Sequence, residues 1–283
     1  MKIGLIGRGI SQSRAPELHQ MLAGKLNLNY EYQLHDALAS DFIDFQTTLK
    51  HLKNAGYRGV NVTYPFKELA LKCADSATVG AQRVGASNTL LFSDQVLAEN
   101  TDYSGFIKAY HANFGTKKAG SVLLIGGGGV GRAVAFALSE LGVEKIYLSE
   151  INTQKGESLV TQLCDLDIKA ELVNPDEAPR FIDHIDGILN CSTMGHHNSP
   201  GCPIPVQSLN SKHWVFDAVY IPAKTELITH ATAVGARVLS GVELFLFQGF
   251  DAFECFASTL EKPALIAPFI PEIRTHYLRI LNA

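Results

Sequence analysis

The segment "SVLLIGGGGVGRAVAFALSELG" at 121–142 restricts the fold of this chain more than any other stretch. It reads as strand, tight turn and helix. "SVLLI" is a short apolar run bounded by glycine, and "RAVAFALSELG" carries apolar residues at helical spacing before stopping at Gly142. Gly126, Gly128 and Gly131 fit the G-x-G-x-x-G spacing, and the next apolar run, "KIYLSE", ends in Glu150, 19 residues after Gly131. Gly126 permits the tight turn. Gly128 lets the backbone approach a pyrophosphate, and Gly131 lets helix and strand pack closely. The helix N-terminus faces the phosphates, and the acid accepts from the adenosine ribose hydroxyls. A lone glycine pattern says little, but strand, helix and acid together predict a Rossmann-type dinucleotide site.

The chain opens with a second glycine cluster, "MKIGLIGRGISQSRAPELH". Here the third glycine position holds Gln12, and the helix starts late, near Pro16, a residue suited to a first helical turn. Asp36, after the strand-like "LNYEYQLHD", could serve as the ribose acid of a degenerate nucleotide site. The better reading is a strand whose following loop, "GISQSRAP", presents hydroxyls to a small polar substrate.

With 283 residues and 46% apolar content, the chain has room for two α/β domains. Residues 1–103 predict a substrate-binding domain: strand 3–7, helix 16–25, strand 30–35, helix 39–54, strand 58–62, helix 66–72 and a hairpin over 86–100. A linking helix over 104–114 opens the dinucleotide domain, 104–240, with strands at 121–125, 145–149, 169–173, 186–190, 214–218 and 236–239. The apolar tail, 241–283, is expected to pack as helices back onto the first domain, with a cleft between the two domains.

The net charge of −4 is dispersed, and the longest basic run is Lys117-Lys118, so no nucleic acid partner is expected. No run reaches the ~18 apolar residues of a membrane span, and no signal peptide pattern opens the chain. Five cysteines without close pairs suit free thiols in the cytoplasm. His196-His197 lacks metal-ligand spacing, so no metal is expected, and no G-x-S-x-G elbow supports a hydrolase.

Three motifs place polar residues directly after strand patterns: "GVNVTYPFKE" (59–68), "GASNTL" (85–90) and "ENTDYSGF" (99–106). In open α/β sheets these positions border the ligand crevice. Lys67 and Asp102 form a proton-transfer pair in principle, and Asn61, Thr63 and Asn88 suit a polyhydroxylated ligand. Each also has a plainer role open to it. Lys67 could be a solvated helix lysine, Asp102 a helix cap, and Asn88 a turn residue.

These motifs, with "LLIGGGGVGRA", "DAVYIPAKTELI" and the stretch around Gln248, follow one another in the order and spacing of the shikimate/quinate dehydrogenase family, and the chain resembles its NAD-linked branch. The resemblance implies roles for particular residues. Lys67 and Asp102 match the catalytic pair. Ser13, Asn61, Thr63, Asn88, Tyr220 and Gln248 match substrate contacts, with Ser13 at the carboxylate. The glycine turn (Gly126, Gly128, Gly129, Val130, Gly131), Glu150, Ser192 and Gly195 of "NCSTMG", and Gly241 match the cofactor site. The resemblance further implies a cytoplasmic oxidoreductase of aromatic amino acid biosynthesis, acting on a small cyclic hydroxy acid as monomer or homodimer.

Two departures refine this. NADP-linked relatives carry Asn-Arg-Thr after the second strand of the dinucleotide domain. This chain has Glu150-Ile151-Asn152, which predicts NAD over NADP. The family's Ser-x-Ser-Pro or Ser-x-Thr-Pro is Ser13-Arg14-Ala15-Pro16 here, so one hydroxyl at the carboxylate position is missing. Shikimate is favoured over quinate on that ground. The alternatives are an NADP-linked shikimate dehydrogenase, a dehydrogenase of an amino-substituted analogue, and an inactive nucleotide-binding sensor.

Overall fold

The structure, a computed structural model, describes residues 1–258 and 266–282. Residue contacts divide it into two compact units. The first holds Met1–Gly105 and Leu246–Ile273, and the second holds Phe106–Phe245 and the residues from Arg274.

The first unit runs β1 (Lys2–Gly7), α1 (Ala15–Lys25), β2 (Glu31–Asp36), α2 (Phe45–Asn54), β3 (Gly59–Val62), α3 (Lys67–Lys72), β4 (Ser76–Ala77), α4 (Val79–Val84), β5 (Thr89–Phe92), β6 (Val96–Glu99) and the start of α5 (Thr101–Phe114). Its sheet has the order β2-β1-β3-β5-β6-β4. β1, β2 and β3 are parallel, and β5 is antiparallel to both β3 and β6. The near-continuous apolar runs of β1 and β3 reflect burial on both faces.

Helix 39–54 of the sequence reading begins only at Phe45. Asp44 caps it, its carboxylate accepting from the Thr47 backbone N–H at 2.8 Å and the Thr47 hydroxyl at 2.6 Å. The linking helix begins three residues earlier than expected, because the Asn100 side chain accepts from the Tyr103 N–H at 3.1 Å and so supplies the cap.

The second unit runs β7 (Gly120–Ile125), α6 (Gly129–Glu140), β8 (Val143–Ser149), α7 (Thr153–Cys164), β9 (Ala170–Val173), β10 (Gly187–Asn190), β11 (Trp214–Asp217), α8 (Glu226–Ala233), β12 (Arg237–Ser240), the start of α9 (Gly241–Ala257) and most of α10 (Ile270–Asn282). All six strands are parallel, in the order β12-β11-β10-β7-β8-β9, which is a Rossmann-like sheet. Leu123, Ile188 and Val215 of the sheet pack with Ile182, Leu227 and Ala231.

One row of register partners crosses the C-terminal edge of this sheet: Ser240, Asp217, Asn190, Ile125 and Ser149. Gly126, Glu150, Ser192 and Gly241, expected to meet a dinucleotide, follow Ile125, Ser149, Asn190 and Ser240 within two residues, and Tyr220, expected at the substrate, follows Asp217.

The tail 241–283, expected to join the first domain as one block, is divided between the units. Arg274 gives the reason: its Nε donates to both Glu243 oxygens at 2.9 Å and its Nη2 to Asn113 Oδ1 at 2.8 Å, all within the second unit. Residues 259–265 of that tail, and Ala283, lie outside the described residues. No described helix is long and apolar enough to cross a membrane.

Candidate active site

The first unit brings Lys67 and Asp102 together. Lys67 opens α3, and its Nζ donates to Asp102 Oδ2 at 2.5 Å, with side-chain exposures of 16% and 9%. Lys67 is therefore no solvated helix lysine. Nor is Asp102 the cap of α5, since Asn100 has that role while also donating from Nδ2 to Ala86 O at 2.9 Å. An ammonium at a helix start opposes the helix dipole, whereas a carboxylate there is favoured. The lysine thus breaks a local rule at the place where chemistry was expected.

Asn88 is not a hairpin turn residue. It precedes β5, and its Oδ1 accepts from the Thr101 N–H at 2.7 Å, while its Nδ2 donates to Thr101 Oγ1 at 3.0 Å. The amide therefore fixes the first turn of α5 and with it Asp102.

Asn61, on β3, is equally engaged. Its Oδ1 accepts from Tyr32 Oη at 2.8 Å, and its Nδ2 donates to Thr89 Oγ1 at 3.0 Å. Tyr32 lies against His19, with ring centroids 4.8 Å apart. Burial pushes that imidazole down to about 3, so it stays neutral at physiological pH.

Thr63 follows β3, and its methyl sits where a Cβ on Gly7 would come to 2.3 Å, so only glycine fits there. Gln248 lies on α9. Its backbone passes so close to Gly105 that a Cβ at Gly105 would stand 2.6 Å from Gln248 N.

The "GISQSRAP" loop is held by Asp36. Its carboxylate accepts from the Gly9, Ile10 and Leu38 N–H groups at 2.8, 2.9 and 3.0 Å. The backbone donors of Leu38 and Gly9 hold that carboxyl below the usual carboxylate range. Asp36 is thus a loop clamp, not the acid of a second nucleotide site. At the end of the loop Ser13 Oγ accepts from the Ala15 N–H at 3.3 Å, which leaves the hydroxyl proton free to point elsewhere. α1 has no side-chain cap, and Arg14 pairs with Glu17 at 2.9 Å.

In the second unit the glycine turn follows β7. Gly126 has φ +91°, and a Cβ there would come within 2.9 Å of Cys191 C and Ser192 N. At Gly131 a Cβ would lie 1.9 Å from Gly126 O, so no other residue is possible without moving the turn. At Gly128 a Cβ would meet nothing within 4 Å. The first turn of α6 has no side-chain cap, so it offers backbone donors beside open space, the arrangement a pyrophosphate requires. Gly129 and Val130 belong to that turn.

Glu150 braces this turn. Its Oε2 accepts from the Gly127 N–H at 2.7 Å and its Oε1 from the Asn152 N–H at 2.9 Å. Each oxygen keeps lone-pair capacity for ribose hydroxyls. Ile151, at 89% exposure, offers no charge beside it. Gly241 opens α9, where a Cβ would come within 2.6 Å of Ala218 O. Tyr220 belongs to this unit and stacks on Phe245, with centroids 5.1 Å apart.

Two fully buried side chains here, Asn190 and Asp217, carry no role predicted from the sequence, although they open "NCSTMG" and "DAVYIPAKTELI". Asp217 accepts from Asn190 Nδ2 at 2.9 Å, from the Val219 N–H at 3.0 Å and from Thr225 Oγ1 at 2.6 Å. Burial pushes its carboxyl up to about 6, against the pull of those donors.

A largely buried ammonium–carboxylate pair in one α/β unit, and an uncapped glycine turn braced by an acid on a Rossmann-like sheet in the other, define the class: a two-unit α/β protein of the dinucleotide-binding type. Comparison with known proteins narrows this. The family model described as the shikimate dehydrogenase substrate binding domain matches residues 5–90. A shikimate dehydrogenase (NADP(+)) of Pseudarthrobacter chlorophenolicus is 31% identical, over 99% of this chain and 95% of its own length. A quinate/shikimate dehydrogenase (NAD(+)) of Corynebacterium glutamicum is 33% identical, over 90% of this chain and 92% of its own. The solved structure of a quinate dehydrogenase from Corynebacterium glutamicum in complex with NAD superposes with a TM-score of 0.90, covering 99% of both chains at 30% identity. The chain belongs to the shikimate dehydrogenase family.

Proposed function

We propose that the chain is an oxidoreductase that interconverts shikimate, or quinate, with the corresponding ring ketone, using NAD in preference to NADP. The observation that carries this reading is the 2.5 Å contact between Lys67 and Asp102 on a family scaffold. In the oxidising direction the substrate hydroxyl lies against this pair, which takes the hydroxyl proton as the C=O bond forms. In reverse the pair returns it to the ketone oxygen. When bound, a nicotinamide dinucleotide supplies the two-electron acceptor for the hydrogen leaving the carbinol carbon. Asn61, Asn88, Thr63 and Gln248 orient the ring, and Ser13 donates to the carboxylate. Tyr220 lines the substrate site. Gly126–Gly131 and Glu150 hold the adenosine half of the dinucleotide, and Ser192, Gly195 and Gly241 its nicotinamide half. Absorbance of NADH, followed with shikimate and with quinate, tests the activity. No turnover of either would overturn it and favour a nucleotide-binding sensor, a reading opposed by the intact pair.

The NAD preference rests on Glu150 and Ile151. A 2′-phosphate at ~4 Å from the Glu150 carboxylate meets a repulsion of roughly 4 kcal/mol at an effective dielectric near 20, before screening and relaxation. The expected result is a kcat/KM at least about tenfold higher with NAD than with NADP. Glu150→Gln keeps an oxygen for Gly127 but removes the charge, and it should narrow that ratio. An NADP preference in the wild-type chain would overturn the assignment.

The strength of the carboxylate contact rests on Ala15. A missing hydrogen bond to a charged carboxylate costs ~1.5–3 kcal/mol, or about ten- to a hundredfold in binding. Ala15→Ser should therefore lower KM for shikimate by about tenfold. An unchanged KM would show that residue 15 does not face the carboxylate.

A further inference from the structure

Asn190 and Asp217 sit side by side, as register partners, in the middle of the strand-end row described above. The glycine turn leaves from one neighbour, Ile125, and Gly241 follows the other, Ser240. Both side chains are completely buried.

Asn190 uses its full hydrogen-bonding capacity. Its Nδ2 donates to Asp217 Oδ1 at 2.9 Å and to Met194 O at 2.8 Å. Its Oδ1 accepts from the Ser192 N–H at 3.1 Å and from Ser192 Oγ at 2.6 Å. Ser192 Oγ in turn accepts from the Met194 N–H at 3.2 Å. The loop 191–195 is therefore folded around one amide.

An amide can turn over and exchange its oxygen for its nitrogen. An ionised carboxylate cannot reciprocate, because it only accepts. Asp217 therefore obliges Asn190 to present Nδ2 to it, in agreement with the Met194 carbonyl and the Ser192 N–H, and so leaves Oδ1 facing Ser192. The second oxygen of Asp217 is set by Thr225. That hydroxyl caps α8 by accepting from the Ile228 N–H at 3.2 Å, so its proton goes to Asp217. Gly195, at φ +100°, closes the loop against this same group, with its notional Cβ 3.3 Å from Thr225 and 3.8 Å from Asp217 Oδ2.

We propose that Asp217 is a positioning residue which, by fixing the orientation of the Asn190 amide, sets the shape of the 191–195 loop and thereby the seat of the nicotinamide half of the dinucleotide. The proposal rests on the functional reading above, which places Ser192 and Gly195 at that half. The adenosine half is held elsewhere, by the glycine turn and Glu150, so the two halves should respond differently.

The test measures dissociation constants of NAD and of ADP-ribose for the wild-type chain, Asp217→Asn, Thr225→Val and Thr225→Ser. ADP-ribose lacks the nicotinamide. The Asp217→Asn variant should bind NAD at least about tenfold more weakly, with ADP-ribose changed by less than about twofold. Its kcat should also fall. Thr225→Val, which removes one donor to Asp217 and keeps the side-chain volume, should show the same selective loss to a smaller degree. Thr225→Ser should bind as the wild type does. Equal weakening of both ligands, or of neither, in the two disruptive variants would overturn the proposal. Should Asp217→Asn not fold, the Thr225 pair alone decides by the same comparison. A wild-type chain that binds ADP-ribose and NAD without turning over shikimate or quinate refutes the enzymatic reading, a result distinct from selective loss in a variant.

Discussion

Lys67→Ala lowers kcat for shikimate oxidation by roughly 10²–10⁴-fold, the range set by removal of a positioned proton-transfer group. Binding of the dinucleotide stays within about twofold, because the glycine turn and Glu150 are untouched. The same substitution leaves Asp102, 9% exposed at its side chain, without its ammonium. A carboxylate left unpaired in such a position also destabilises the fold, so the thermal midpoint should fall as turnover does. Lys67→Met separates the two effects: it restores the apolar stem without the charge, and it should recover part of the stability and none of the rate. A Lys67→Ala enzyme with near wild-type turnover would remove the lysine from the chemistry.

Gly131→Ala weakens dinucleotide binding by about ten- to a hundredfold. The added methyl would sit 1.9 Å from Gly126 O, a backbone atom that cannot rotate away. The turn must open, which displaces the first donors of α6 from the phosphates. Forced overpacking of this kind costs about 1–3 kcal/mol, and the loss in affinity for ADP-ribose should reach about ten- to a hundredfold. Gly128→Ala is the informative control. Its methyl meets no protein atom, so the fold should be unaffected while the ligand is crowded. Calorimetric titration with ADP-ribose reads both. Unchanged affinity in Gly131→Ala would show that the turn is not the phosphate site.

The parts of this structure that the sequence made readable are those whose logic is local. The strand, the glycine turn and α6 lie within 22 residues, and the contact that demands Gly131 is with Gly126 five positions away. Lys67 and Asp102 stand 35 residues apart, and their places just after strand patterns suggested the pairing, which the family resemblance then matched. What stayed hidden depends on contacts between distant segments. Asp36 looked like a ribose acid because its donors, Gly9 and Ile10, lie 27 and 26 residues upstream. Asp217 and Asn190 are separated by 27 residues, and only the sheet register makes them neighbours. The two-residue strand β4 was missed because an element so short shows no period. The late start of α2 depended on which of the two acids in "ASDFIDFQ", Asp41 or Asp44, would cap it.

Two parts of the substrate half are wired differently. Asn88 grips the helix that bears Asp102, so a change at that amide should disturb the placement of the Asp102 carboxylate as well. The "GISQSRAP" segment is clamped by Asp36 instead, at one remove from the reactive groups. Substitutions at residues 11–15 should therefore leave the Lys67–Asp102 contact in place, whatever they do to ligand binding.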